Sequence, residues 1–251
     1  MSYSTGYDHT CAVISGGDVK CWGWNNRAQL GSSVGSQSKV PVSVTNLDGI
    51  GVAVACGYQH SCAIVSGGGV KCWGENDRGQ LGIGVLRGQK YVPVDVVNLS
   101  GPAVAIDVGN YHNCVIISGG TMQCWGYNNT GQIGDGTITW RTSPTSVQNL
   151  SGAAVALSVG INYTCALISG GSLQCWGSNG YGNLGDGTNH HKYLPVDTVG
   201  LAQTTAVSAG FYHTCAVDSG EVKCWGSNIS GELGDGTYKS PNVFTPQSVL
   251  F

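Results

Sequence analysis

A segment that recurs five times constrains this chain more than anything else in it. "GYDHTCAVISGGDVKCWGWNN" begins at Gly6, and related segments begin at Gly57, Gly109, Gly160 and Gly210, at separations of 51, 52, 51 and 50 residues. A fixed period in this range belongs to propellers, solenoids and arrays, whose units bury their apolar faces only against their neighbours. The copies divide the chain into repeats at approximately 1–50, 51–102, 103–153, 154–203 and 204–251, together one domain of residues 1–251.

Each period reads as four short strands. A small apolar run opens it, "VAVAC" at 52–56 with its counterparts "AVAID", "VALSV" and "TAVSA", and such runs suit a strand buried on both faces. Gly-x-x-His follows, then a strand through the first cysteine, a Ser-Gly-Gly turn and a strand ending in Cys-Trp-Gly, which together make a hairpin. After a variable loop comes a segment carrying Pro41, Pro93, Pro144, Pro195 or Pro246. Proline cannot donate to a ladder, so this fourth strand is an edge. Four antiparallel strands repeated radially describe an all-β propeller of five four-stranded blades. A closed ring is expected over an open arc, because an arc would leave an apolar face uncovered at each end. "SYST" at 2–5 stands where an innermost strand belongs but lacks the Val-Ala alternation of its counterparts.

Gly-x-x-His-[Ser/Thr] followed by Trp-Gly-x-Asn-x-x-Gly-Gln-Leu-Gly resembles the repeat of the regulator of chromosome condensation family. "WGENDRGQLG" at 73–82 fits throughout; elsewhere Ala28 replaces a glycine, Ile133 the leucine, Asn183 and Glu232 the glutamine, and Tyr163 the histidine. The resemblance spans nearly the whole chain. It implies a β-propeller, usually of seven blades, that serves as an interaction platform, with guanine-nucleotide exchange on a small GTPase and enzyme inhibition among the family's roles.

Ten of the eleven cysteines pair by position: Cys11 with Cys21, Cys62 with Cys72, Cys114 with Cys124, Cys165 with Cys175, and Cys215 with Cys224. With Ser15, Gly16 and Gly17 as the first turn, Ile14 faces Asp18 and Cys11 falls opposite Cys21. In the fifth copy the turn is one residue shorter and so is the cysteine separation, which keeps the two sulfurs opposed. Facing Cβ atoms of an antiparallel pair lie about 4.5 to 5.5 Å apart, close to disulfide geometry. Disulfides are the expected state. Buried reduced thiols are the alternative, and zinc lacks both a Cys-x-x-Cys spacing and a second paired ligand set. Loops this short give each bridge at most about 2 to 3 kcal/mol. Five bridges place the chain in an oxidising compartment, extracellular or periplasmic. Cys56, in an innermost strand where Asp107 and Val159 hold the matching places, is expected to be a buried free thiol.

Other recurrent residues read as framework. His9, His60, His112 and His213 invite a metal or general-base role, yet a residue repeated once per blade serves packing and hydrogen bonding between blades. Trp22, Trp73, Trp125, Trp176 and Trp225 read as core. Asp-Gly-Thr at 135, 186 and 235 reads as turn chemistry, since the first two copies lack it. Adjacent His190 and His191 have no counterparts and read as solvated loop residues.

No unique nucleophile, base or carboxylate pair interrupts the repeat, so no catalytic residue, metal site or cofactor is expected and the chain reads as a non-enzyme. A net charge of −3 gives no footprint for nucleic acid. No apolar run approaches about 18 residues, so membrane insertion is not expected. The opening "MSYSTGYDHT" has neither the basic nor the apolar part of a secretory signal, so export would need a leader ahead of it.

What varies between copies carries the functional reading. In an up-and-down blade the Gly-x-x-His loops and the loops after Trp-Gly open on one face, and the Ser-Gly-Gly turns on the other. The first face gathers Tyr7, Tyr58, Asn110, Tyr111, Asn162, Phe211 and Tyr212, ringed by Arg87, Trp140, Arg141, Lys192, Tyr193, Tyr238 and Lys239. Aromatics and arginine on rigidly held loops are the composition of a binding surface. The expected function is an extracellular platform for an unidentified protein partner. A glycan-binding lectin, with rings stacking on sugars, is the alternative, and a self-assembling segment of a longer repeat protein is a third.

Overall fold

Turn chemistry sets the register from which the rest follows. In the computed structural model, which describes residues 1–237 and 242–251, the first repeat forms β1 (Ser2–Thr5), β2 (His9–Val13), β3 (Val19–Trp24) and β4 (Gln37–Ser43), hydrogen-bonded in that order. Gly16 and Gly17 take φ of 90° and 84°, conformations that cost glycine nothing, and they fold β2 onto β3 with Cys11 opposite Cys21 and Val13 opposite Val19.

The next three repeats follow the same plan. The second holds β5 (Gly51–Cys56), β6 (His60–Val65), β7 (Val70–Gly74) and β8 (Lys90–Asp95), and the third β9 (Ala103–Val108), β10 (His112–Ile117), β11 (Met122–Gly126) and β12 (Arg141–Ser146). The fourth holds β13 (Ala154–Val159), β14 (Tyr163–Ile168), β15 (Leu173–Gly177) and β16 (Lys192–Asp197). The fifth holds β17 (Thr204–Ala209), β18 (His213–Asp218), β19 (Glu221–Gly226) and β20 (Val243–Ser248). Every sheet is antiparallel in sequence order, with the proline strand at its edge, so the chain is all-β with five four-stranded blades. In the fifth, Ser219 and Gly220 both have positive φ, 52° and 85°, the two-residue loop that matches strand twist. Cys215 therefore still faces Cys224.

All five hairpins carry their disulfide, and Cys56 is free and buried. Its register places it opposite Ser61, so its counterparts are Val108, opposite Asn113, and Val159, opposite Thr164; Asp107 instead faces Cys114. A one-residue slip in the sequence alignment of the apolar runs accounts for that correction.

Those runs are also not buried on both faces. Val52, Val104 and Val155 are 58%, 61% and 60% exposed. Each is the extra residue of a β-bulge, where the pairing jumps from Gly51 to Ala53, from Ala103 to Ala105 and from Ala154 to Ala156. The bulge turns an apolar side chain outward that strict alternation would have kept in. The second and third strands of these repeats, β6 and β7, β10 and β11, β14 and β15, are the fully buried ones.

The chain forms two compact units. One comprises Met1–Ser118, Gln123–Tyr127 and Trp140–Thr145; the other comprises Gly119–Met122, Asn128–Thr139 and Ser146–Phe251. In the first, one apolar cluster surrounds Trp73 with Val13, Leu30 and Val54, and another surrounds Trp125 with Ile64, Leu81 and Val115. In the second, Leu173, Leu184 and Ala216 pack around Trp225. The buried indoles all donate to a main-chain carbonyl: Trp73 to Gln29 at 2.9 Å and Trp125 to Gln80 at 3.0 Å in the first unit, Trp176 to Gln132 at 3.0 Å and Trp225 to Asn183 at 2.9 Å in the second. Trp22 departs from its four counterparts, which are fully buried, in being only partly covered.

Candidate functional site

The glycine after each tryptophan brings two loops together. Gly74 has φ of 101°, and a Cβ there would lie 2.6 Å from the Gln59 carbonyl, so only glycine lets the chain pass so near the Gly-x-x-His loop. The next amide closes the contact in every repeat: Trp24 to Asp8, Glu75 to Gln59, Tyr127 to Tyr111, Ser178 to Asn162 and Ser227 to Tyr212, at 2.8 to 2.9 Å. The asparagine that follows fixes the rest of the loop. Asn76 Oδ1 accepts the Leu81 amide and its Nδ2 donates to the Val85 and Arg87 carbonyls.

On this frame the first unit carries a row of aromatic rings. Tyr7 and Tyr58 have centroids 4.6 Å apart, Tyr58 and Tyr111 5.5 Å, Tyr111 and Tyr127 6.3 Å, and Tyr127 and Trp140 5.4 Å. The loops stack through the main chain, the Tyr7 amide donating to Gly57 and the Tyr58 amide to Asn110, each at 3.3 Å. Arg78 lies over Tyr111 with Cζ 3.7 Å from the centroid, and 5.6 Å from that of Tyr127. A guanidinium held on two ring faces is an attractive, partly desolvated arrangement. Glu75 is buried beside it, accepts from Gln80 Nε2 at 3.1 Å and faces Arg27 at 3.8 Å. Burial and neighbouring Asp77 hold its carboxyl above the usual range, while Arg27 and Arg78 oppose them.

In the second unit Tyr212 packs on Tyr181 at 4.4 Å and on Phe211 at 6.4 Å, with Phe211 and Tyr212 both exposed. The Asn162 carbonyl is taken by the Ser178 amide and the Thr130 hydroxyl. Lys192 is paired with Asp186 at 3.0 Å, which leaves it a partial charge source at most; burial works against the Asp186 charge, but Lys192 and Thr188 hold its carboxyl below the usual range. Tyr193 is half-exposed, and Arg87 is exposed in its loop with φ of 73°. Trp140 and Arg141 are partly buried. Tyr238 and Lys239 lie outside the described residues. Tyr127, Tyr181, Glu75 and Arg78 escaped the sequence reading. All four occupy the variable positions inside Trp-Gly-x-Asn-x-x, hidden between framework residues.

His9 and His60 each join their repeat to the next. His9 Nε2 lies 2.8 Å from Ser61 Oγ, and His60 Nε2 2.7 Å from Asn113 Oδ1. Burial holds both neutral, with pKa values lowered to about 3 and about 4. His9, Cys11 and Cys56 bring ligand atoms within 4.8 Å of one another, but Cys11 is committed to its disulfide and burial pushes the Cys56 thiol up to about 12. Asp135, Asp186 and Asp235 each accept the amide and hydroxyl of the threonine two residues on, a turn in every case. His191 Nδ1 accepts the Asn179 amide. Among the described residues no helix is long and apolar enough to cross a membrane.

Residues 1–250 match the RCC1-like domain. The chain is 31% identical over 223 residues to the ultraviolet-B receptor UVR8 of Arabidopsis thaliana, covering 86% of this chain and 50% of the receptor, so it spans half the length of that relative. Among solved structures it is similar to human WBSCR16, with a TM-score of 0.88, 23% identity and coverage of 99% of this chain and 66% of that one. Yeast RCC1 (Prp20), solved bound to Kap60, gives 0.86, 20%, 97% and 59%.

Proposed function

The chain belongs to the RCC1-like domain family, and we propose that it is a non-enzymatic extracellular binding module that takes a protein partner on its aromatic loop face. The observation that carries this reading is the row from Tyr7 through Tyr58, Tyr111 and Tyr127 to Trp140, with Arg78 lying on two of its rings. Rigid aromatics and arginine dominate the energetic centres of protein interfaces because they bury large areas at small entropic cost. That yeast RCC1 was solved bound to Kap60 supports a protein as the partner class. Five disulfides support an oxidising compartment.

A photo-crosslinking amino acid at Tyr7, with the same residue at Ser169 in the opposite turn as control, tests the surface. One protein captured at Tyr7 and not at Ser169 supports the reading; equal capture at both, or none at Tyr7, overturns it. Binding of a glycan array with unchanged response to partner proteins would replace the platform by a lectin.

A further inference from the structure

The sequence holds five Asn-x-Ser/Thr triplets, at Asn98, Asn128, Asn149, Asn162 and Asn228. That triplet, with any residue but proline in the middle, is the acceptor for N-linked glycosylation. The fold closes three of them and leaves two open.

Asn128 and Asn228 are asparagines that fix the loop after Trp-Gly, and both are wholly buried. Asn128 Nδ2 donates to the Thr137 and Thr139 carbonyls, each at 3.0 Å, and Asn228 Nδ2 to Thr237 Oγ1 at 3.0 Å and the Thr237 carbonyl at 3.3 Å. A glycan replaces one of the two protons on that nitrogen, so here it would break a buried bond and have to thread out of a closed loop. Asn162 Oδ1 accepts from Gln132 Nε2 at 3.4 Å, Tyr163 is buried, and the Thr164 hydroxyl is turned inward onto the Gln132 carbonyl at 3.0 Å.

Asn98 lies between β8 and β9 and Asn149 between β12 and β13, and both are exposed, as are Ser100 and Ser151. The two asparagines have φ of 60° and 58°, as Asn46 has 56° in the first repeat, a conformation that asparagine tolerates. Neither carboxamide has a hydrogen-bond partner among the described residues. Nor does the frame require a hydroxyl two residues on. The bond made there comes from the amide, Ser100 to Gln123 Oε1 at 2.9 Å and Ser151 to Gln174 Oε1 at 3.0 Å, although the Ser100 hydroxyl shares its acceptor at 3.1 Å. The first repeat carries Asp48 at this place. The Ala103 amide donates to the Gly68 carbonyl at 2.9 Å, so Asn98 stands at the turn end of its blade and Tyr58 at the other. In the second unit the Ala154 amide donates to the Gly120 carbonyl at 2.8 Å, which puts Asn149 at the turn end there too.

We propose that Asn98 and Asn149 carry N-linked glycans. This rests on the extracellular reading above, since the modification belongs to the lumen through which exported chains pass. There the carboxamide Nδ2 attacks the anomeric carbon of a polyprenyl-diphosphate-linked oligosaccharide. A bond from nitrogen to carbon forms, the bond from carbon to the diphosphate oxygen breaks, the lipid diphosphate leaves with that electron pair, and the nitrogen gives one proton to a base of the transferase. The Asn98 glycan stands at the turn end and leaves the row at Tyr58 uncovered.

The full chain, given a secretion leader and made in cultured eukaryotic cells, tests this. Attachment precedes export, so secreted and retained chains are both mapped. Peptide N-glycosidase in heavy-oxygen water converts each glycosylated asparagine to labelled aspartate, which peptide mass spectrometry locates. Label is expected at Asn98 and Asn149 and at none of Asn128, Asn162 and Asn228 in the oxidised, folded chain. Asn98→Gln and Asn149→Gln should each lose one glycan, and so should Ser100→Ala and Ser151→Ala, which keep the asparagine and the amide bond; all should melt as the parent does. Absence of label from either Asn98 or Asn149 overturns the proposal, and so does label at a buried asparagine of a chain that melts as the parent. Because the leader supplies the route, such a failure leaves the extracellular platform standing. Reduced hairpins in the chain from its own source would overturn that reading instead.

Discussion

Tyr163 does the work of a histidine at its joint. Its hydroxyl lies 2.9 Å from Thr214 Oγ1 and donates to the His213 carbonyl at 2.6 Å, reaching the same hydroxyl position that His9 reaches on Ser61. The ring is buried, and burial raises its pKa above the usual phenol value, so it stays a neutral donor.

Tyr163→Phe should therefore destabilise the chain by about 1 kcal/mol, since it removes a buried hydroxyl's hydrogen bonds while conserving the ring, and the His213 carbonyl keeps the Gly210 amide as a donor. Chemical denaturation of the two proteins measures it.

Acid should weaken the fold well above the carboxylate range. His9 and His60 are lowered to about 3 and about 4 in the folded chain from 6.5 unfolded. Below pH 6.5 the unfolded chain binds protons that the folded chain refuses. Stability is therefore full above that value and falls as pH drops, by about 1.4 kcal/mol per pH unit for each histidine until its folded pKa is reached. Asp218, lowered to about 2 chiefly by its hydrogen bond from Lys223, adds a loss confined to the interval from its ordinary value down to about pH 2. Denaturation midpoints at pH 7 and pH 5 are expected to differ for the parent, and to differ less for His60→Asn.

Cys56 should resist alkylation in the native protein and react fully only after unfolding, because its thiol is buried and pushed up to about 12. Non-reducing peptide maps should show each remaining cysteine linked within its own hairpin.

Replacing Tyr111 or Arg78 with alanine should weaken partner binding by about 2 kcal/mol or more and change thermal stability little, since both sit at the loop surface. Arg87→Ala, an exposed charge, should act mainly on association rate. Lengthening the turn at Ser169 should do neither. Binding kinetics by surface immobilisation separate the three cases.

The features legible in the sequence are those that local chemistry repeats. The one-residue shortening at Ser219-Gly220 fixed the pairing of Cys215 with Cys224 because turn length determines register. Proline marked the edge strands for the same kind of reason. The outward turn of Val52, Val104 and Val155 was hidden, since a bulge adds a residue without altering composition. Arg78 on Tyr111 was hidden too, because loops from two repeats make that contact and neither alone announces it. The pairing of Lys192 with Asp186 cancels a charge that linear reading leaves free.

The indole bonds at the joints all end on a main-chain carbonyl. Every residue type offers that acceptor, which is why Asn183 serves at its joint as well as Gln29 at its own. The indole's bond, written in backbone at its acceptor, carries no address: it holds any repeat of this pattern to any other. What is particular to each joint is the ring contact beside it, His9 on Ser61, His60 on Asn113 and Tyr163 on Thr214, so a copy that is duplicated or exchanged has that one side-chain pair to match while its loops diverge.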